Sequence, residues 1–166
     1  ALRKGLKSGV TVVNSQLSKE KLIELLHQYE ELQKAREFSG LTSAMIHALA
    51  NYKESVTWKF NLYFANVVGP SEDFLNIGSL VTIKAGDTCT YLIGTTNETG
   101  RKFQANSVLL WSALLDAKSN GCRWFDIGGL SEETPNGIAE FKKGLNAIPY
   151  SLVGEWLFFP KIILKR

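Results

Sequence analysis

Residues able to act on an acyl group or an anion fall close together in the second half of this chain. Asp126 ends a short apolar run, Arg123 to Ile127, and is followed by Gly128 and Gly129. A carboxylate at the carboxyl end of a strand can take a proton from an amine or orient it. Lys142 and Lys143 sit in Phe141-Lys142-Lys143-Gly144, where an ammonium can meet a phosphate or carboxylate. Arg101, Lys102, Gln104, Ala105, Asn106 and Ser107 lead into a helix pattern. A helix start offers unpaired amides and a positive dipole end, which suits an anion. The amides around Ile93 and Gly94 can hold a carbonyl oxygen as negative charge develops on it. No Ser-His-Asp or Cys-His pattern is visible, so direct attack by an amine is expected rather than a covalent intermediate. Each candidate also has a plainer reading. Asp126 can simply cap the glycine turn, the lysines can satisfy a helix end, and Arg101 can be a loop charge. Gly128 and Gly129 can serve the turn rather than a ligand. His27 and His47 lie on helix patterns with no partner in the sequence and are assigned no chemistry.

The elements that position these residues lie between Thr88 and Leu130. Thr88 to Thr95 is rich in Thr, Tyr and Ile and predicts a strand. Val108, Trp111, Leu114 and Leu115 recur at helical spacing and predict a helix over Ser107 to Asn120, with Asn106 as its cap and Gly121 at its close. Trp111 is expected to face the sheet as core. Arg123 to Ile127 predicts the second strand. Strand, crossover helix and strand imply a parallel pair joined in the right-handed sense. The two strands are expected to part near Gly94, freeing backbone groups beside the helix mouth.

The rest of the chain predicts the frame around that unit. Val10 to Val13 reads as a first strand, and Ser18 to Phe38 as a long helix with Leu22, Leu25, Leu26, Tyr29 and Leu32 on one face, ended by Gly40. Thr42 opens a shorter helix to Lys53, with Met45, Ala48, Leu49 and Tyr52 on its buried side. The period then changes to two. Val56 to Phe64 and Phe74 to Lys84 alternate as strands around a Gly69–Asp73 turn, the first with one buried face. With the Thr88 strand they form an antiparallel meander on short turns. A polar loop, Ser131 to Asn136, a short helix over Ile138 to Leu145 and a last strand over Leu152 to Phe159 complete the order. The fold class expected is α/β (α+β): a mixed sheet in which an antiparallel meander precedes a parallel βαβ unit, with helices on both faces.

Size and charge narrow the function classes. At 166 residues the chain has the length of one domain with a core of its own. The formal charge of +3 is too mild to imply a nucleic-acid surface. Two cysteines, Cys89 and Cys122, suggest neither a disulfide framework nor a metal cluster and are read as free thiols in a reducing compartment, hence a cytoplasmic location. No apolar run approaches the ~18 residues of a membrane helix, and no signal peptide is visible. The chain opens on Ala1 and the basic, helix-like Leu2-Arg3-Lys4-Gly5-Leu6-Lys7, which suggests a piece of a longer protein.

The element order resembles that of the GNAT acyltransferase fold. The motifs resemble the Fem-type aminoacyltransferases and their FemAB-like relatives more closely. These motifs are Arg101-Lys102-Phe103-Gln104-Ala105-Asn106 with Leu110-Trp111-Ser112-Ala113, then Gly121 through Gly129, then Phe141-Lys142-Lys143-Gly144-Leu145. The entry, Leu2 to Val10, is similar to the linker into that family's second half. The resemblance implies a single GNAT-like domain over residues 1–166, the second half of a two-half protein. It implies transfer of an amino acid from aminoacyl-tRNA to the amine of a peptidoglycan precursor, with Lys142 steadying negative charge near the transfer site. Other FemAB-like relatives are uncharacterised, or are linked to polysaccharide systems and to acyl-CoA donors. Against coenzyme A, Gln104 and Asn106 stand where the Gly-rich turn of GNAT enzymes has small residues, and side chains there are expected to crowd a pyrophosphate. Leu145 replaces the phenylalanine usual after the motif glycine. Two alternatives to the transferase stay open: a non-catalytic GNAT-like scaffolding subdomain, and a small-molecule N-acetyltransferase that uses acyl-CoA.

Overall fold

The computed structural model describes residues 1–15, 18–132 and 134–154. The chain forms two compact units, residues 1–135 and 136–166.

The first unit is built on a five-stranded mixed sheet in the sequential order β1 (Thr11–Ser15), β2 (Trp58–Val68), β3 (Phe74–Ala85), β4 (Thr88–Thr96) and β5 (Trp124–Asp126). Strands β1 to β4 pair antiparallel, as short turns dictate, and β5 joins β4 in parallel. Gly86 makes the β3–β4 turn with φ 64°. In β2, residues from Phe60 to Ala65 are buried on both faces, not on one as the alternation suggested. Phe60, Leu62 and Phe64 pack under helices α2 (Lys19–Arg36) and α3 (Ser43–Ala50), together with Leu22, Leu25, Leu26, Tyr29, Ile46, Val81 and Ile93. Tyr63, on the other face, meets α5 (Ala105–Ser119). The polar residues in β2 are therefore buried because a second helix layer covers them, a tertiary fact that period alone does not carry.

Capping explains where the helices begin. The Ser18 hydroxyl accepts from the Lys21 amide at 3.4 Å, and the Thr42 hydroxyl from the Met45 amide at 3.3 Å. Helix α2 closes at Glu37, in the left-handed region with φ 51°, three residues before Gly40. Gly40 has another use: a Cβ there would collide with the Tyr29 hydroxyl. On α3 the buried residues are Ile46 and Ala50, while Met45 and Tyr52 are 52% and 63% exposed. Met45, Leu49 and Tyr52 line a cavity of about 690 Å³ with Trp58, Ala85 and Gly86 instead. One helix was suggested by the sequence and one went unread. The opening Leu2–Lys7 forms α1, and Glu98–Lys102 forms α4, capped by Asn97.

In the second unit, α6 spans Asn136–Lys143, with Lys142 and Lys143 in its last turn. The expected last strand is absent over residues 152–154, and the rest of that stretch, 155–159, lies outside the described residues.

Candidate functional site

The parting of β4 and β5 creates the site. Thr88 pairs with Trp124, Cys89 with Phe125 and Thr90 with Asp126, and there β5 stops while β4 runs on to Thr96. The strands therefore separate at Thr90, four residues before the expected point at Gly94. The stretch from Tyr91 to Thr96 lacks β5 as a partner on that side. Ile93 and Gly94, the candidate oxyanion donors, lie within it. A β-bulge sets their direction. Val81 faces Ile93 and Thr82 faces Tyr91, so Leu92 is the extra residue in β4.

Asp126 stands where pairing ends. Its Oδ1 accepts from the Gly128 amide at 2.7 Å, and Gly128 has φ 77°. The carboxylate thus holds the glycine turn, as the plainer reading had it, at the carboxyl end of β5. Around Gly129 the space beyond the backbone is open.

The mouth of α5 differs from expectation. The helix starts at Ala105, two residues early, and its cap position is held by Gln104 in the left-handed region at φ 58°. Asn106 therefore lies inside the first turn rather than capping it. Its Oδ1 is buried without a hydrogen-bond partner among the described residues and faces Gly94. Gln104 Nε2 donates to the Arg101 carbonyl at 3.1 Å. The Arg101 guanidinium donates from Nη1 to the Thr96 carbonyl at 3.1 Å, and Lys102 pairs with Glu98 at 2.8 Å on the surface. Ala105 is buried, and the Ser107 amide donates to the Gln104 carbonyl at 3.0 Å. Trp111, expected in the core, is 40% exposed, because α5 buries Val108, Leu109, Leu110 and Ala113 instead.

A pyrophosphate cradle for coenzyme A is partly taken up at this corner. A pyrophosphate cradle needs bare amides that point outward. Here the amides of Gly100, Arg101, Phe103, Gln104 and Ser107 are bonded to Asn97 Oδ1 and to the carbonyls of Asn97, Thr99, Arg101 and Gln104. Helix α4 takes up most of these, whereas the amides of Ala105 and Asn106, the first two of α5, carry no such bond among the described residues. Asn106 adds a carbonyl oxygen where an anion would need a donor.

Tyr91 is the residue that sequence reasoning missed. A Cβ on Gly94 would lie 2.5 Å from the Tyr91 hydroxyl and 3.3 Å from Asn106 Oδ1. Burial pushes the pKa of that hydroxyl upward, and the Tyr29 hydroxyl adds to the shift. Strict alternation puts residues three apart on opposite faces, so only the Leu92 bulge brings Tyr91 and Gly94 together. The remaining candidates, Phe141, Lys142 and Lys143, share α6 in the second unit. Phe141 and Lys142 are half-buried there, and Lys143 is exposed. Among the described residues no group of His, Cys, Asp or Glu could hold a metal ion.

The family model of the FemAB family matches residues 11–164. No curated protein is matched by the chain. Among solved structures, FemX is similar at 15% identity and a TM-score of 0.69, over 86% of this chain and 51% of FemX. The chain thus spans about half of that relative. An aminoglycoside acetyltransferase from an uncultured soil metagenomic sample, in complex with sisomicin, is similar at 11% identity and a TM-score of 0.59, over 94% of this chain and 99% of that one. A GNAT-family acetyltransferase from Staphylococcus aureus is similar at 10% identity and a TM-score of 0.56, over 81% of this chain and 82% of that one. The fold is that of the GNAT acetyltransferases, and the chain belongs to the FemAB family.

Proposed function

We propose that this chain carries the transfer site of an aminoacyltransferase, which moves an amino acid from an aminoacyl-tRNA to the amine of a peptidoglycan precursor in the cytoplasm. The observation that carries this reading is the parting of β4 and β5 at Thr90 and Asp126, beside the start of α5. The gap gives an acyl group a place to lie, and the Gln104 side chain, with the Gly100, Arg101, Phe103 and Gln104 amides already bonded, argues against coenzyme A as its carrier.

In this reading the acceptor amine attacks the ester carbonyl carbon. The carbonyl oxygen gains charge and is held by an amide of β4 freed around Ile93 and Gly94. Asp126 takes the proton that the amine loses. The ester C–O bond breaks, the ribose oxygen leaves and collects a proton, and the new C–N bond remains as an amide. Gly128 and Gly129 let the acceptor approach the backbone closely. In the second unit, Lys142, with Lys143 and the ring of Phe141, offers a cation suited to phosphate of the tRNA. An upstream GNAT-like half supplies the remainder of the acceptor site. No described helix is long and apolar enough to cross a membrane.

Isothermal titration tests the donor class. A non-hydrolysable aminoacyl-tRNA analogue is expected to bind and acetyl-CoA to give a flat trace, with Lys142→Ala weakening the first. Saturable acetyl-CoA binding would replace this reading with that of an N-acetyltransferase, and flat traces for both donors would favour the scaffolding role.

A further inference from the structure

We propose that the cavity between α3 and the start of β2 is a binding site of its own, for an uncharged aromatic molecule that carries a carbonyl oxygen. It stands apart from the transfer reading and does not rest on it. Its volume of about 690 Å³ falls within the range of small-molecule sites. Backbone bonds fix its floor. The Ser55 amide donates to the Trp58 carbonyl at 2.9 Å, the Trp58 amide to the Ser55 carbonyl at 3.3 Å, and the Gly86 amide to the Thr57 carbonyl at 2.8 Å. Gly86 belongs to the β3–β4 turn, so the cavity lies at the end of the sheet away from the parting of β4 and β5. From Thr88, where β4 begins, to Gly94 is roughly 20 Å along a strand.

The walls choose the ligand. Met45, Leu49, Tyr52 and Trp58 present apolar surface, and no lining residue is charged, so a charged molecule would lie there unpaired. The Tyr52 and Trp58 rings meet edge to face with centroids 5.2 Å apart. Met45 and Tyr52 are nonetheless exposed, so this apolar wall is held open rather than packed shut. A flat ring covers such a wall well, because rings attract one another beyond the area they bury, and the unbranched Met45 adjusts to a ring edge. One polar group in the wall is unanswered. Trp58 Nε1 is buried and has no hydrogen-bond partner among the described residues. A buried indole N–H ordinarily finds an acceptor. The nearby hydroxyls are engaged elsewhere: Ser55 Oγ lies 3.3 Å from Thr57 Oγ1 and accepts from the Trp58 amide at 3.0 Å. A carbonyl oxygen on the ligand is the acceptor that completes the site.

The test titrates the full, isotope-labelled chain with a matched pair of probes: benzophenone, and diphenylmethane, which has the same rings without the carbonyl. Proton–nitrogen correlation spectra follow the Leu49 and Gly86 amides for occupancy and the Trp58 indole N–H for the hydrogen bond. Both probes are expected to move the amides, with benzophenone binding about fivefold more tightly, the scale of one neutral hydrogen bond. Benzophenone is expected to move the indole peak downfield, as a new acceptor does, and diphenylmethane is not. Trp58→Phe keeps a ring, removes the donor and assigns the peak, and the probes should then bind within about twofold of each other. Met45→Glu, at an exposed helix position, should fold where a change at Trp58 does not. It is expected to weaken both probes about tenfold or more by setting a charge beside the apolar rings. Amides that neither probe moves overturn the site. Equal binding of the probes to the wild type overturns the carbonyl, and the proposal with it. Peaks that shift with protein concentration alone give the cavity to a second copy of the chain and overturn it as well.

Discussion

The Tyr63 hydroxyl donates to Asp116 Oδ2 at 2.7 Å and so ties the middle of β2 to the last turns of α5. Asn14 Nδ2 donates to the same oxygen at 2.9 Å, and Asn120 Nδ2 to the other at 3.0 Å. One carboxylate thus joins β1, β2 and the helix end. Tyr63→Phe removes one donor of the set and leaves the others, so the expected cost is about 1–2 kcal/mol, read as a lower urea midpoint. The pH dependence follows from the hydroxyl. Burial raises its pKa most, with the Asp116 hydrogen bond and charge adding to it. The unfolded chain releases this proton near its ordinary value of about 10, while the folded chain holds it. Stability is therefore fully present below about pH 10 and falls as pH rises beyond it. The alkaline fall should be shallower in Tyr63→Phe.

Gly100 lets α4 lie against β3. A Cβ there would be driven into the carbonyl oxygen of Ile77, a backbone atom with little freedom to move. Gly100→Ala is expected to destabilise the chain by about 3 kcal/mol, at the upper end of overpacking costs, and to lower the thermal midpoint. Gly129→Ala, where nothing lies within 4 Å of the added carbon, is the control and should be nearly silent.

The two thiols should differ in reactivity. Cys89 is 2% exposed, and burial pushes its pKa up to about 11, so little thiolate forms at neutral pH. Cys122 is half-buried. Iodoacetamide at pH 8 followed by mass spectrometry is expected to find Cys122 alkylated and Cys89 protected in the folded chain. Both should be labelled in denaturant.

Asp126 serves a turn and, in the proposed reaction, a proton. The two roles separate by substitution. Asp126→Asn keeps an oxygen for the Gly128 amide, so its melting temperature should stay near that of the wild type while transfer falls by about a hundredfold or more. Asp126→Ala loses the acceptor as well and is expected to cost about 1 kcal/mol of stability. Equal transfer rates for Asp126→Asn and wild type would leave Asp126 with the turn alone.

Much of the frame was legible because local rules wrote it. The spacing of Leu22, Leu25, Leu26 and Tyr29 marked α2, Ser18 and Thr42 marked helix starts, and alternation with short turns marked the meander and its parallel successor. The motifs from Arg101 to Leu145 pointed to the family that the comparisons establish. What stayed hidden depends on contacts between distant segments or on a shift of register. Tyr63 looked like a solvent-facing residue until α5 covered it. Asn106 looked like a cap until α4 formed and moved the helix start to Ala105. Tyr91 and Gly94 belong to opposite faces by counting, and share one only because Leu92 is left over when β3 and β4 pair. The sequence by itself determined the elements and the kind of chemistry they can hold, since periodicity and capping act within a few residues. Only the tertiary structure decided where β4 leaves β5 and which side chain lies over Gly94, since pairing registers are set by both strands and by the helices packed on them.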